Sequence, residues 1–477
     1  MITTAASWLA LWSCIAMAPP VAPTTEGVGA QPQRSSPTLE LGVVLASVRD
    51  HHPLLDAADA SIEAARGRRL SARGAFDPRL RARGSGTPLG GYRYGVVDTE
   101  IRARTVALGM VAFAGWRLGR GDIPLYYGEL ATADRGELRA GVEVPVLRDA
   151  LVDAPRTVRS KADIDTEIAG LEREQRALEL ARDAAIAYWD WAAAVGRAEI
   201  RERQLGLARD RDEGVRRQIA EGNTAAIEAL DNARVIAARE AIVVGAQRDA
   251  DVSALALSLF LRTREGVPRV PDDGAAPRLL VTGVDEPVDV GKDADAAIER
   301  RPDLRIAAAR LRSAALDVRL ARNGRLPSLA VQAYAAKDLG DGPDVLRPAE
   351  LGIGASLEIP IPLRTARGEL ATARANGRRI ADERRFLGER VRVDVGTAHA
   401  DMQAAHKRAA IAARQAKLAE EIATAERERF ALGDSNILVV NLREEAAADA
   451  AAAAVDAVAD ERKARARYDF STGARSG

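Results

Sequence analysis

The sequence is poor in the residues that most protein chemistry needs. Its 477 residues include one cysteine, Cys14, and four histidines. A single thiol excludes both an intrachain disulfide and a thiolate metal site. Aromatic residues are only 4%, and alanine supplies much of the apolar count, whereas a globular core of this size ordinarily holds more large side chains. Neither sign of charge is in excess, with 69 basic and 69 acidic residues, and nothing resembles a basic face for nucleic acid. Beyond the leader, no apolar run is long enough to cross a bilayer as a helix, and any crossing must use strands. Phosphate loops, His-Glu-x-x-His, nucleophile elbows and paired cysteines are absent. The sequence gives catalysis no foothold and calls for no cofactor or metal. His399 and His406, seven apart on one helix face, read as an interhelical or solvated pair, and His51-His52 falls at a helix break.

What is present is a duplication. A segment from about Leu39 to Leu80 recurs from about Val288 to Leu329 at a constant offset of 249. His52-Pro53-x-Leu55 aligns with Arg301-Pro302-x-Leu304, and Pro78 with Pro327. Between the prolines, apolar residues keep a helical stripe: Leu55, Ala58, Ile62, Ala65 and Ala72 in one copy, Leu304, Ala307, Leu311, Ala314, Val318 and Ala321 in the other. Proline suits the first turn of a helix, and the second proline ends it. Two copies this long indicate two homologous halves rather than a solenoid.

After each copy the period changes from helical to alternating. Leu138, Ala140, Val142, Val144 and Val146 oppose Arg139, Gly141 and Glu143. Leu329, Val331 and Ala333 oppose Gln332 and Tyr334, and Leu351, Ile353, Ala355, Leu357 and Ile359 oppose a polar and glycine set from Glu350 to Glu358. Such two-faced strands of about ten residues fit a membrane β-barrel, and equally a half-buried sheet in a soluble domain. The first half carries about 34 more residues here, around Gly90 to Tyr127 and rich in aromatics, predicting an extra hairpin. Its tyrosines and Trp116 suit either a bilayer interface or packing under a loop.

Long helical arms follow, with heptad stripes at Ile164, Leu171, Leu178 and Ala185, at Val391, Ala398 and Ala405, and at Ile411, Leu418, Ala425 and Leu432. The 77 and 73 residues from strand exit to turn predict roughly 110 Å of helix at about 1.5 Å per residue. Each arm ends in a small turn, Glu221-Gly222-Asn223-Thr224 or Leu432-Gly433-Asp434-Ser435. Glu228 and Asp231 follow the first turn on one helix face. The expected organisation is a leader at 1–30 and a first repeat at 38–262, with strands in 79–147 and a helical hairpin over 148–262. A linker at 263–286 leads to a second repeat at 287–472, with strands in 328–360 and a hairpin over 363–472. Within the leader, Leu11-Trp12-Ser13-Cys14 loosely resembles a lipoprotein cleavage site, which makes Cys14 the candidate for lipidation.

The doubled order of Pro53 and Pro302, Phe76-Asp77-Pro78 and Arg325-Leu326-Pro327, Glu143-Val144-Pro145 and Glu358-Ile359-Pro360, with the two tips, resembles the TolC family of outer-membrane efflux proteins over residues 38–472. The resemblance implies a mainly α fold with β: a long α-helical barrel of coiled-coil hairpins plus a transmembrane β-barrel shared by a homotrimer. It implies a passive outer-membrane channel of a tripartite efflux or type I secretion system, with its helical barrel in the periplasm. Expected partners are outer-membrane lipid, a periplasmic adaptor and, through the adaptor, an inner-membrane RND or ABC transporter. Gly222, Asn223, Gly433, Asp434 and Ser435 are the implied adaptor-docking tips. Paired aspartates found after the second tip in some members are replaced by Val439 and Leu442, leaving Glu228 and Asp231 as candidates for the constriction. The competing reading is a coiled-coil structural protein of the envelope that forms no channel.

Overall fold

A computed structural model describes residues 37–222, 225–279 and 288–474. The leader with Cys14, the tip residue Asn223 and part of the connecting segment lie outside the described residues.

The first half runs α1 (Leu41–His51), α2 (Pro53–Arg73), β1 (Arg79–Thr87), β2 (Tyr94–Arg104), β3 (Val111–Gly121), β4 (Glu137–Pro145), α3 (Ala154–Ala220) and α4 (Ile227–Ser258). The second runs α5 (Val290–Arg300), α6 (Pro302–Asn323), β5 (Ser328–Asp338), β6 (Glu350–Glu358), α7 (Arg364–Ala431) and α8 (Ile437–Ser471). Pro53 and Pro302 open α2 and α6 at the first turn. At the first of these, His52 caps the helix, its Nδ1 accepting from the Leu54 N–H at 3.2 Å.

α3 and α7 have 67 and 68 residues, about 100 Å each at 1.5 Å per residue. They start at Ala154 and Arg364, a little after the strand exits, so each is shorter than the span from strand to turn. Asp153 sets the start of α3: its buried carboxylate accepts from the Arg156 N–H at 2.8 Å. Beside each long helix, two shorter ones lie one beyond the other, α2 and α4 along α3, α6 and α8 along α7. The contacts order these four columns as α2/α4, α3, α6/α8, α7.

Two clusters of buried side chains hold the columns near mid-length. In one, Val44 and Val48 of α1 and Leu55 pack on Leu180, Tyr188, Trp191 and Leu257. In the other, Ala294 and Ala297 of α5 and Leu304 pack on Val391, Val395, Met402 and Tyr468. Each cluster uses a tyrosine as a tie. The Tyr188 hydroxyl donates to the Leu39 carbonyl at 2.7 Å, and that of Tyr468 to Asp293 Oδ2 at 2.5 Å. Elsewhere the helices meet largely through alanine, which permits close backbones and leaves little shape to lock them.

The six strands form one antiparallel sheet in chain order, β1 to β6. The surplus of the first half is the β2–β3 hairpin. Residues opposite one another in register share a face, which carries one apolar set across the whole sheet. Leu80 faces Ile101, then Ala114, Ala140, Ala335 and Leu351. The other face carries Arg83, Asp98, Arg117, Glu137 and Asp338 in a single row. Leu80, Leu351, Ile353 and Leu357 are exposed on the apolar side, whereas Phe113, Glu137 and Ala336 on the polar side are buried. A soluble half-buried sheet would show the reverse.

Candidate functional site

Three features of the rod bear on function: its sheet, its two lateral edges and its two helical tips.

The polar face of the sheet is mixed in sign and internally paired. Arg117 meets Asp98 at 3.0 Å and Arg139 meets Glu137 at 3.2 Å, while the Arg139 guanidinium lies over the Tyr334 ring at 5.0 Å. Glycine opens space where rings need it. A Cβ on Gly352 would sit 2.2 Å from Tyr334 Cζ, and one on Gly141 2.6 Å from Phe113 Cζ. The connection from β3 to β4 folds back on this same face. At Gly119 a Cβ would meet the Leu130 carbonyl oxygen at 2.1 Å, and the Gly119 N–H donates to the Thr132 hydroxyl at 3.1 Å.

Among the described residues, both edges of the sheet lack a neighbour. β1 pairs only with β2 and β6 only with β5. β1 continues the α2/α4 column and β6 leads into α7, so each edge is one uninterrupted flank of strand and helix. Exposed apolar side chains line both flanks: Ile242, Val244, Val252 and Leu255 on α4, and Val393, Ile411, Leu418 and Ile422 on α7. The heptad stripe through Ile411, Leu418 and Leu432 is thus uncovered in the single chain, while Leu171 and Ala185 of the α3 stripe are buried inside it. Charge on the two edge strands is complementary. β1 bears Arg79, Arg81 and Arg83 on its polar face, and β6 bears Glu350 and Glu358.

The tips are built alike. α3 ends with Gly222 at φ +80° and α7 with Gly433 at φ +83°, left-handed conformations that favour glycine. Gly222 N–H donates to the Ile219 carbonyl and Gly433 N–H to that of Phe430, each at 3.0 Å, and Asp434 N–H reaches Arg429 at 2.9 Å. Ser435 Oγ donates to Glu426, and Asn436 caps α8, accepting from Val439 N–H at 3.0 Å. Gly433, Asp434 and Ser435 therefore form one ordered turn, with Gly222 at the matching place in the other hairpin. Sequence reading missed the apolar surface around them: Ile227, Leu230, Leu432, Leu438 and Leu442 are all exposed. Of the constriction candidates, Asp231 pairs with Arg234 at 3.0 Å, and Glu228 is half-buried in the first turn of α4.

Just above the tips lies a buried ionic cluster that also escaped the sequence reading. Glu444 of α8 has 1% of its side chain exposed, and Arg239 and Arg211 have 6% and 9%. One carboxylate oxygen takes Arg211; the other accepts from both terminal nitrogens of Arg239 at 3.2 Å. Arg239 also donates to the Gln204 carbonyl at 2.8 Å, and Arg427 stands 3.9 Å from Glu444. Burial pulls the Arg239 guanidinium below its ordinary value, opposed by Glu444. Nearby, the Asn232 amide donates to Asp212 at 2.9 Å and holds that carboxyl below the usual range. The cluster ties α3 and α4 of one half to α7 and α8 of the other.

The second half, residues 294–474, matches the outer membrane efflux protein family. The match covers 181 of the 477 residues. The fold agrees with solved structures of low sequence identity. The outer membrane protein VceC of Vibrio cholerae aligns at a TM-score of 0.65 and 17% identity, over 91% of this chain and 96% of that one. The MtrE outer membrane channel of Neisseria gonorrhoeae, in its open state, gives 0.63 and 18%, over 91% and 89%. The CmeC outer membrane channel of Campylobacter jejuni gives 0.63 and 13%, over 91% and 85%. Among curated proteins, no sequence matches this chain. The chain thus shares the fold of these outer-membrane channels, with a helical portion and a β portion.

Proposed function

We propose that the chain is one subunit of a homotrimeric, passive exit duct serving a tripartite efflux or type I secretion system. The observation that carries this reading is the sheet, apolar and exposed on one side, charged on the other, and open at both edges. An open edge cannot sit in lipid, because its backbone groups would have no partner there. Copies of the same chain satisfy it: β1 of one meets β6 of the next, the arginines of β1 face the glutamates of β6, and the apolar flanks of α4 and α7 meet below. Three copies is the number that the family resemblance implies. Such a duct performs no chemistry; it supplies a wall.

At the far end, the tips dock a periplasmic adaptor, and through it an inner-membrane RND or ABC transporter. Gly222, Asn223, Gly433, Asp434 and Ser435 shape the contact, with Ile227, Leu432 and Leu438 adding apolar area. Glu228 and Asp231 stand where a ring of carboxylates would narrow the lumen, although Arg234 offsets part of that charge.

Outer-membrane fractionation, mass in detergent and conductance in planar bilayers test the duct. A trimer that conducts is the expected result. A single subunit, stable in buffer without detergent and unable to conduct, would establish the coiled-coil structural alternative instead. Docking is tested separately: Leu432→Gln with Leu438→Gln should lower adaptor co-purification while trimer yield and conductance persist.

A further inference from the structure

Four strands are direct continuations of helical columns: α2 enters β1, β4 leads to α3, α6 enters β5 and β6 leads to α7. β2 and β3 continue no column. They lie between β1 and β4, β2 pairing with the whole of β1 and β3 pairing with β4 over residues 111–117. They also follow the same two-faced code, with Thr99 and Arg120 as exceptions on the apolar side and Val96 and Phe113 on the polar side. Val97, Ile101, Ala112, Ala114, Trp116 and Leu118 fall on the apolar side in register with Leu80 and Leu138, and Asp98, Glu100, Arg102 and Arg117 fall on the polar side. The helix-side turn of this hairpin is seated on the start of α3. Arg104 reaches the buried Asp153 at 3.3 Å, and Gly109, at φ +63°, leaves no room for a Cβ, which would lie 2.6 Å from the Asp149 carbonyl oxygen.

We infer that the β2–β3 hairpin is lipid-embedded wall, so that three copies of the six-stranded sheet close an 18-stranded barrel rather than the 12-stranded one that the column-attached strands would make. This rests on the trimeric duct proposed above. The register supplies the geometry. The perpendicular row from Arg79 passes Arg102, Phe113, Gly141 and Tyr334 and reaches Gly352, six residues before the helix-side end of β6 at Glu358. With the helix-side ends of β1 and β6 at one height, that climb over five strand spacings is a tilt of about 40°, using ~3.3 Å per residue and ~4.8 Å between strands. A ring of 18 such strands measures about 113 Å around, and one of 12 about 75 Å. Four helical columns per chain, three times over at ~8–10 Å each, measure about 96–120 Å. With the hairpin, the β-tube and the α-tube meet at equal girth; without it, the wall must taper by about a third. The backbone diameter rises from about 24 Å to about 36 Å, so the sheet is not what limits cargo size, and the restriction passes to the connection over Gly119 and to the helical tips.

The experiment uses single cysteines in the full chain, with Cys14 replaced by serine if it persists in the mature protein. Val97→Cys, Ile101→Cys and Leu118→Cys are compared with Asp98→Cys, Glu100→Cys and Arg117→Cys in trimers reconstituted in liposomes. Ile353→Cys and Gln332→Cys serve as references from the second half. Expected is alternation: apolar-side positions take only a membrane-partitioning maleimide, and polar-side positions only a charged thiosulfonate. Uniform reaction of all β2 and β3 positions with the charged reagent, while the references still alternate, overturns the hairpin and leaves the duct intact. Failure of the references to alternate overturns the duct reading itself. Spin labels at Ala355→Cys give a second measure: backbone separation between subunits should be about 31 Å for 18 strands, and about 21 Å for 12 would refute the inference.

Discussion

Replacing Glu444 with alanine should be among the most damaging single changes in the helical region. The carboxylate is almost wholly buried and satisfies two buried guanidiniums, with a third at 3.9 Å. Its loss leaves Arg211 and Arg239 facing each other, desolvated and of like charge. Breaking a buried pair by removing one partner costs about 3–5 kcal/mol. The neighbouring Arg209–Glu240 pair supplies the contrast, since its side chains are 59% and 47% exposed and such pairs contribute about 0–1 kcal/mol. Urea unfolding in detergent, followed by helical circular dichroism, should separate Glu444→Ala from Glu240→Ala by at least about 2 kcal/mol. Glu444→Gln should fall between them, because it keeps shape and some hydrogen bonding. Equal midpoints for the two alanine variants would refute the reasoning, whatever their absolute values.

Gly352→Val should displace the Tyr334 ring that lies 2.2 Å from the built Cβ, at a cost of about 1–3 kcal/mol. Gly354→Val, two residues on, meets nothing within 4 Å and should leave the heat resistance of the protein unchanged. Asp153→Ala removes a helix cap and the buried partner of Arg156 and Arg104; a loss of about 2–4 kcal/mol is expected by thermal melting, with Asp153→Asn intermediate. The lowered pKa of Asp212 gives stability that is present above its unfolded value of about 4 and disappears as pH falls through the folded value. Asn232→Leu removes the main cause, so its melting temperature should fall less between about pH 6 and 3 than that of the parent.

The duplication made the architecture legible. Paired prolines, a shift from helical to alternating period, and matched distances to the glycine turns place every long element. Alternation is regular in β4 and β6, and β5 departs from it only at Ala330, Ala336 and Lys337. The β2–β3 hairpin could be foreseen only as surplus length. Val96 and Phe113 interrupt its polar side and Thr99 its apolar side, so the period is blurred until pairing shows which face each residue takes. The glycine tips were legible because a left-handed turn needs that residue. The apolar side chains around them were not, since an exposed leucine and a buried one look alike in sequence.

Glu444 was hidden for a different reason. It stands among alanines in a helix whose buried positions include Ala447, Ala448, Ala450 and Ala452, where charge reads as a solvated face. Yet alanine surfaces are smooth, and one register of α8 on its neighbours differs little from the next by packing alone. A carboxylate that must meet Arg211 on α3, Arg239 on α4 and Arg427 on α7 at one level has a single satisfactory register. Replacing Glu444, Arg211 and Arg239 together by leucine and methionine tests this as the source of specificity. Buried ionic clusters exchanged for apolar groups of similar size are often neutral or stabilising by about 1–4 kcal/mol. The triple variant should therefore unfold no more easily than the parent. If the cluster sets register, disulfide mapping with cysteines at Gly206 and successive α8 positions will give one cross-linked pair in the parent and several in the variant. A single unchanged pair in both would mean that the alanines, with the tip turns, suffice to fix the helices.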